Sequence, residues 1–151
     1  MKWKWVGLAL LAQPAAGQPA EQILEAVARI HGAPGIFAVA GYREGQRALK
    51  ELGSALNVIH YCPLKVQYSC VADGWQAATG VSAGKLSLRI QESDQFHTEV
   101  RERATGRGLR FELRPAFVER YLNTPRPDQA AAAREVLEMP DEEIFSVVAQ
   151  P

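Results

Sequence analysis

Two side chains that could do chemistry stand out in the sequence, a cysteine and a histidine far apart along the chain. Cys70 lies in the segment SCVADGWQAATG, which is predicted to be a helix that Ser69 caps at its N-terminus. A thiol in the first turn of a helix feels the positive end of the helix dipole, which favours the thiolate and hence metal ligation or nucleophilic attack. The alternative is a small buried hydrophobic residue, as free cysteine often is, and position alone favours that alternative.

The histidine is His31, which ends a predicted helix immediately before the loop Gly-Ala-Pro-Gly. Such a loop brings the backbone close to a ligand and holds a side chain at a cleft, whereas a lone histidine at a helix end is also explained by the helix dipole. A Cys70–His31 dyad would suit thiol chemistry. His60 and Cys62, two residues apart on a predicted strand, form a weaker pair of metal donors.

A third candidate is Lys85, at the end of the turn TGVSAGK. The turn is not a phosphate-binding P-loop, because Leu86 stands where that motif requires serine or threonine. The turn either aims Lys85 at an anion or is simply solvated. The chain also has no C-x-x-C pair and no G-x-S-x-G elbow, which argues against a zinc finger and against a serine hydrolase of that type.

The bulk composition is that of one globular domain. The chain has 151 residues, of which 47% are apolar and 23% charged. Its 17 basic and 17 acidic residues cancel, so nothing in the charge predicts a nucleic-acid partner. No apolar run approaches the roughly 18 residues of a membrane span.

The first 17 residues have the layout of a secretory signal peptide: a basic start, a short apolar run and small residues. Lys2 and Lys4 precede the run from Trp5 to Ala12, and cleavage is expected after Gly17. The alternative is an N-terminal helix packed on the domain. Export would make the protein secreted or periplasmic, leave residues 18–151 with a net charge of −2, and allow the two cysteines to pair.

The periodicity of the remaining chain predicts an α+β domain in which helices pack on a mainly antiparallel sheet. An extended segment with a bend at Cys62–Pro63 is expected over 58–70. The predicted helices cover 19–30, 37–52, 70–79, 116–122 and 128–137, with a last one starting at Pro140, and the predicted strands cover 86–90, 96–100 and 109–113.

Two blocks of the sequence, read together, carry a specific resemblance. HGAPGIFAVAGYREGQRAL and SCVADGWQAATGVSAGK, with the ending MPDEEIF, resemble the FmdE-like family, which is named for a component of formylmethanofuran dehydrogenase. The sequences of its members resemble the pattern H-G-H followed by G-Y-R-x-G, and later S-C-x-x-D-G-I-Q-x-x-T-G-x-T-x-G-K. The resemblance covers residues 23–148. It implies an α+β core, often dimeric, with a cleft between the two blocks that binds a metal ion, commonly zinc.

The resemblance assigns residues to this cleft. His31 matches the first histidine and Cys70 the cysteine, which makes them the expected metal ligands. Asp73, Gln76 and Lys85 match the rest of the second block and are the expected ligand-binding residues. The zinc finger appended to some members is not expected here, because no cysteine follows Cys70.

The sequence departs from the family pattern at the expected metal site. Ala33 replaces the second histidine, and Gly35 stands where one branch of the family has a cysteine. Zinc takes four ligands, or three and a water, and His31 with Cys70 supplies two. Asp73, or else His60 or Cys62, would have to supplement them; otherwise the site is shared across a homodimer or lost.

Three functions follow from these residues. The leading one is an exported FmdE-like domain that binds a metal ion or a small molecule between the His31 loop and the Cys70 helix. The second is a thiol-dependent enzyme that uses Cys70. The third is a structural domain with a degenerate site and a Cys62–Cys70 disulfide, which requires the chain to fold back at Pro63. The family name implies no activity for this chain by itself.

Overall fold

The computed structural model describes residues 19–151, so the predicted signal peptide over 1–17 lies outside the described residues. The elements follow one another as α1 (Ala20–His31), α2 (Ile36–Leu52), β1 (Leu56–Cys62), α3 (Val66–Thr79), β2 (Leu88–Glu92), β3 (His97–Glu102), β4 (Gly108–Leu113), α4 (Pro115–Tyr121), a 3-10 turn (Arg126–Asp128), α5 (Gln129–Glu138), α6 (Asp141–Ile144) and β5 (Phe145–Gln150).

The five strands form one sheet in the order β2-β1-β3-β4-β5. Three of the four neighbouring pairs are antiparallel, and β1 with β2 is parallel. The prediction of helices on a mainly antiparallel sheet is therefore confirmed. The parallel pair arises because α3 connects β1 to β2, and a parallel connection needs such a crossover.

The end of the chain differs from the predicted helix. Pro140 does precede a helix, but α6 ends after four residues, and the chain continues as the edge strand β5 beside β4. The apolar residues of this strand lie partly against the core: Phe145 is buried and Val147 packs against the buried cluster. A single Pro-Asp-Glu-Glu start does not set the length of a helix, and sheet pairing determined it here.

The start of α3 is the second difference. The helix begins at Val66 rather than at Cys70, so the prediction of an extended segment up to residue 70 and of Ser69 as the cap is wrong. The Ser69 hydroxyl instead donates to the carbonyls of Lys65 and Val66 inside the first turn. The β-branched and aromatic residues of this stretch favour a strand locally, but packing against α2 overrides that preference.

The helices α2 and α3 pack closely against each other, and glycines make this approach feasible. A Cβ on Gly41 would lie 2.0 Å from the Val71 carbonyl oxygen, and a Cβ on Gly74 would lie 1.9 Å from the Ala38 carbonyl oxygen. Trp75, fully buried beside them, packs edge-to-face on Phe111 of β4 at 5.3 Å.

The arginine of the G-Y-R-x-G block also has a structural role. The guanidinium of Arg43 donates to the carbonyls of Val136, Leu137 and Met139, at the end of α5, over 2.6 to 3.1 Å. It also pairs with Asp141 at 2.7 Å. Arg43 therefore ties α2 to the junction of α5 and α6, and it donates to carbonyls near a helix end, where partners within the helix run out.

Across residues 19–151, no single helix is long and apolar enough to cross a membrane. Only α1 and α2 taken together reach that length and composition, and they are bent by 113° relative to each other.

Candidate functional site

The loop after α1 and the first turns of α3 face one another across a cleft of about 710 Å³. His31 lines it from the loop side and Cys70 lines it from α3, as the two blocks of the sequence predict. The first turn of α2 forms the floor beside them through Ile36 and Phe37.

The imidazole of His31 is held by an acid on the opposite side. His31 Nδ1 lies 2.8 Å from the Oδ2 of Asp73, which is one turn beyond Cys70 on α3. Because a carboxylate accepts, Nδ1 donates the hydrogen, and in the neutral imidazole Nε2 keeps its lone pair. Asp73 therefore orients His31. The expectation that Asp73 also binds a ligand stays a prediction.

Gly35 makes room for this imidazole. A Cβ at residue 35 would lie 2.7 Å from His31 Nε2, well inside contact distance, so any side chain there would push the ring away. Gly35 thus offers no donor atom and leaves His31 its present position. Ala33 also lines the cleft and contributes no donor atom.

The thiol of Cys70 is not activated. It is half-buried in the second turn of α3, where its Sγ donates to the carbonyl of Val66 over 2.7 Å. Burial raises the pKa of the Cys70 thiol to about 11, and the nearby charge of Asp73 contributes to the increase. The prediction of a stabilised thiolate is wrong because α3 starts at Val66, which places Cys70 one turn further into the helix than predicted.

The donors on this cleft do not fit a zinc ion by themselves. Within residues 19–151, no three His, Cys, Asp or Glu side chains come together in a way that could hold a metal. His60 is buried with both ring nitrogens engaged, by Thr98 Oγ1 at 2.8 Å and by the Tyr68 carbonyl at 2.9 Å. Cys62 is fully buried in the core. Neither can supplement His31 and Cys70.

The structure does not bring the two other expected ligand-binding residues to the cleft. Gln76 lies further along α3, half-buried, and is not among the residues that line it. Lys85 is exposed, and its Nζ lies near Gly80, at the far end of α3 from Cys70. Ten residues of helix separate these ends by about 15 Å. Their role in ligand binding stays a prediction.

Both cysteines are free thiols, one in the core and one on the cleft. The Cys62–Cys70 disulfide of the structural alternative is therefore not the arrangement seen here.

A third wall of the cleft was not predicted from the sequence. It comes from the segment after α4 and supplies Asn123, Thr124, Arg126 and Gln129. The asparagine and prolines of NTPRPD predict a loop correctly, but which cavity a loop borders depends on contacts that are remote in sequence. Arg126 is the one lysine or arginine on the described lining of the cleft.

The comparisons with known proteins agree with this architecture. The model of the family "FmdE, Molybdenum formylmethanofuran dehydrogenase operon" matches residues 30–146. A solved structure from Syntrophus aciditrophicus, described as a protein like the FmdE component of a tungsten formylmethanofuran dehydrogenase, is similar with a TM-score of 0.61. The two sequences are 19% identical over 87% of this chain and 71% of the other, so that likeness supports the fold alone. No curated protein matches.

The family match spans both blocks that carry the His31 loop and the Cys70 helix, and it covers most of the chain. The chain belongs to the FmdE family.

Proposed function

We propose that the protein is an exported FmdE-like domain that binds a small polar molecule between the His31 loop and the Cys70 helix. The observation that carries this proposal is the cleft itself, about 710 Å³ in volume and lined from both family blocks. This volume is within the usual range for small-molecule sites.

The lining suggests the kind of molecule. The Nε2 lone pair of His31 accepts a hydrogen bond, and its direction is fixed by Asp73. The guanidinium of Arg126 suits a carboxylate or another oxyanion. Ile36, Phe37 and Val66 add apolar surface. A small organic acid with one donor group would satisfy all three features.

A metal ion is the alternative occupant. His31 and Cys70 offer two donors, so a zinc ion would need the remaining ones from the bound molecule or from a second copy of the chain. A thiol-dependent enzyme is the less favoured alternative, because a Cys70 thiol with a pKa of about 11 is protonated at neutral pH.

The binding proposal predicts a localised response to small polar molecules. In nuclear magnetic resonance spectra of the 15N-labelled protein, members of a library of small organic acids should shift the backbone amides of Phe37 and Gln67. We expect His31→Ala to weaken binding of such a molecule about tenfold, the effect of roughly 1.4 kcal/mol from one hydrogen bond. Arg89→Ala, on the edge strand β2, should leave the affinity unchanged.

The same titration is run with zinc sulfate. A one-to-one zinc complex that forms without any organic acid and is abolished by His31→Ala would replace the small-molecule proposal with a metal site. Shifts spread over the whole surface, or an affinity insensitive to His31→Ala, would remove the cleft from consideration.

The export proposal predicts processing of the chain. When the full sequence is produced in a bacterium with a periplasm, we expect protein from the periplasmic fraction to lack residues 1–17 and to begin at Gln18. Intact mass of that fraction checks the cleavage site. Protein found only in the cytoplasm with residues 1–17 retained would contradict export.

A further inference from the structure

A buried carboxyl lies between the two helices whose first turns border the cleft. Glu44 of α2 is 1% exposed, and within residues 19–151 it makes no ion pair. Its Oε2 accepts a hydrogen bond from the indole Nε1 of Trp75 on α3, over 2.7 Å. A buried carboxylate without a cation is costly, so this environment favours the neutral carboxyl.

The polar groups around Glu44 form a chain that reaches the first turn of α3. The Thr98 hydroxyl of β3 interacts with Glu44 and lies 2.8 Å from His60 Nδ1. His60 Nε2 donates to the carbonyl of Tyr68, because a carbonyl can only accept. A neutral His60 then accepts at Nδ1 from Thr98, which leaves the lone pairs of the Thr98 oxygen for a protonated Glu44.

Glu44 also occupies a position at which any expansion would separate the helices. It lies between Gly41 and Gly45, whose missing side chains let α3 approach α2. Water drawn in by an ionised carboxylate has no room while these backbones are in contact. The same two helices carry Phe37 and Gln67 at the cleft.

We infer that Glu44 is a pH-sensitive latch between α2 and α3: the neutral carboxyl keeps the helices in contact, and its ionisation separates them and changes the shape of the cleft. The groups that face it are Trp75 from α3 and Thr98 from β3. The titratable His60 of β1 lies behind Thr98, and the charge of His97 acts on His60 in turn. No ligand is needed for the latch to act, so it does not depend on the proposed binding function.

Burial also sets the pH at which the latch acts. It raises the pKa of Glu44 to about 8, although the hydrogen bond from the Trp75 indole opposes the shift. Burial lowers the pKa of His60 to about 4, so His60 stays neutral throughout the range in which Glu44 titrates.

Nuclear magnetic resonance of the wild-type protein between pH 6 and pH 9 tests the inference. The indole Nε1–H of Trp75 reports on Glu44 directly, and the backbone amides of Phe37 and Gln67 report on the cleft. We expect all three resonances to shift with one common midpoint near pH 8. Glu44→Gln, which keeps an acceptor for the indole, should abolish these shifts, whereas Glu99→Gln on β3 should leave them as in wild type.

Three results would overturn the inference: an indole resonance that does not titrate, an indole that titrates while the cleft amides do not, or the same titration in Glu44→Gln. The first two come from the wild-type protein alone and decide the matter even if Glu44→Gln does not fold. Thr98→Val serves as a second variant, and it should move the common midpoint because it removes the hydroxyl that contacts the Glu44 carboxyl.

Discussion

Gly74→Ala is expected to lower the free energy of unfolding by at least about 4 kcal/mol, enough to leave much of the protein unfolded. The added Cβ would lie 1.9 Å from the Ala38 carbonyl oxygen and 2.4 Å from the Tyr42 nitrogen. Both atoms belong to the backbone of α2, so no side-chain rotation relieves the clash, and the helices must move apart. Urea unfolding followed by circular dichroism measures the loss.

The matched control is Gly84→Ala, in the same sequence block. A Cβ at residue 84 has no atom within 4 Å, and Gly84 is not among the glycines with positive φ. Its free energy of unfolding should stay within about 0.5 kcal/mol of wild type, or rise slightly because alanine restricts the unfolded chain. Equal stabilities of the two variants would show that the contact between α2 and α3 tolerates expansion.

These two glycines illustrate what a sequence motif reveals. The pattern D-G-x-Q points to a binding site, yet Gly74 serves helix packing, and Asp73 orients His31. Likewise, Arg43 of G-Y-R-x-G binds the carbonyls at the end of α5. Spacing alone does not distinguish a residue that supports a site from one that contacts a ligand, because both must be placed on the same helices.

The fold class was predictable from periodicity, since α1 has a clear apolar face, and after their first residue β3 and β4 alternate buried residues with less buried ones. The meeting of His31 and Cys70 at one cleft was predictable only through the family resemblance. The start of α3 was not predictable, because residues 66–69 by themselves favour a strand and become helical through packing against α2. The strand β5 was missed because its pairing with β4 depends on residues 32 to 42 positions away.

The second large effect concerns the pH dependence of stability in wild type and in Glu44→Gln. A folded pKa of about 8 lies above the ordinary value of 4.5, so the folded state holds a proton that the unfolded chain releases. The contribution of Glu44 to the free energy of unfolding is therefore fully present below pH 4.5 and is lost as the pH rises to 8. At 1.36 kcal/mol per pKa unit, the loss is about 5 kcal/mol.

His60 acts in the opposite direction. Its folded pKa of about 4 lies below the ordinary 6.5, so its contribution is present above pH 6.5 and is lost as the pH falls to 4. Between pH 4.5 and 6.5 the pH dependences of the Glu44 and His60 contributions cancel. From pH 6.5 to 8 only that of Glu44 acts, and the free energy of unfolding of wild type should fall by about 2 kcal/mol.

Glu44→Gln should change the sign of this profile. With the carboxyl removed, the loss above pH 6.5 should disappear, and a rise of up to about 3 kcal/mol between pH 4.5 and 6.5 should emerge from His60. Other carboxyls contribute equally to both proteins, so the difference between the two urea-unfolding profiles isolates Glu44. The free energy of unfolding of wild type minus that of Glu44→Gln should fall steadily from pH 4.5 to pH 8. Parallel profiles would mean that Glu44 is ionised in the folded protein, and the contact between α2 and α3 would then have to accommodate a buried charge.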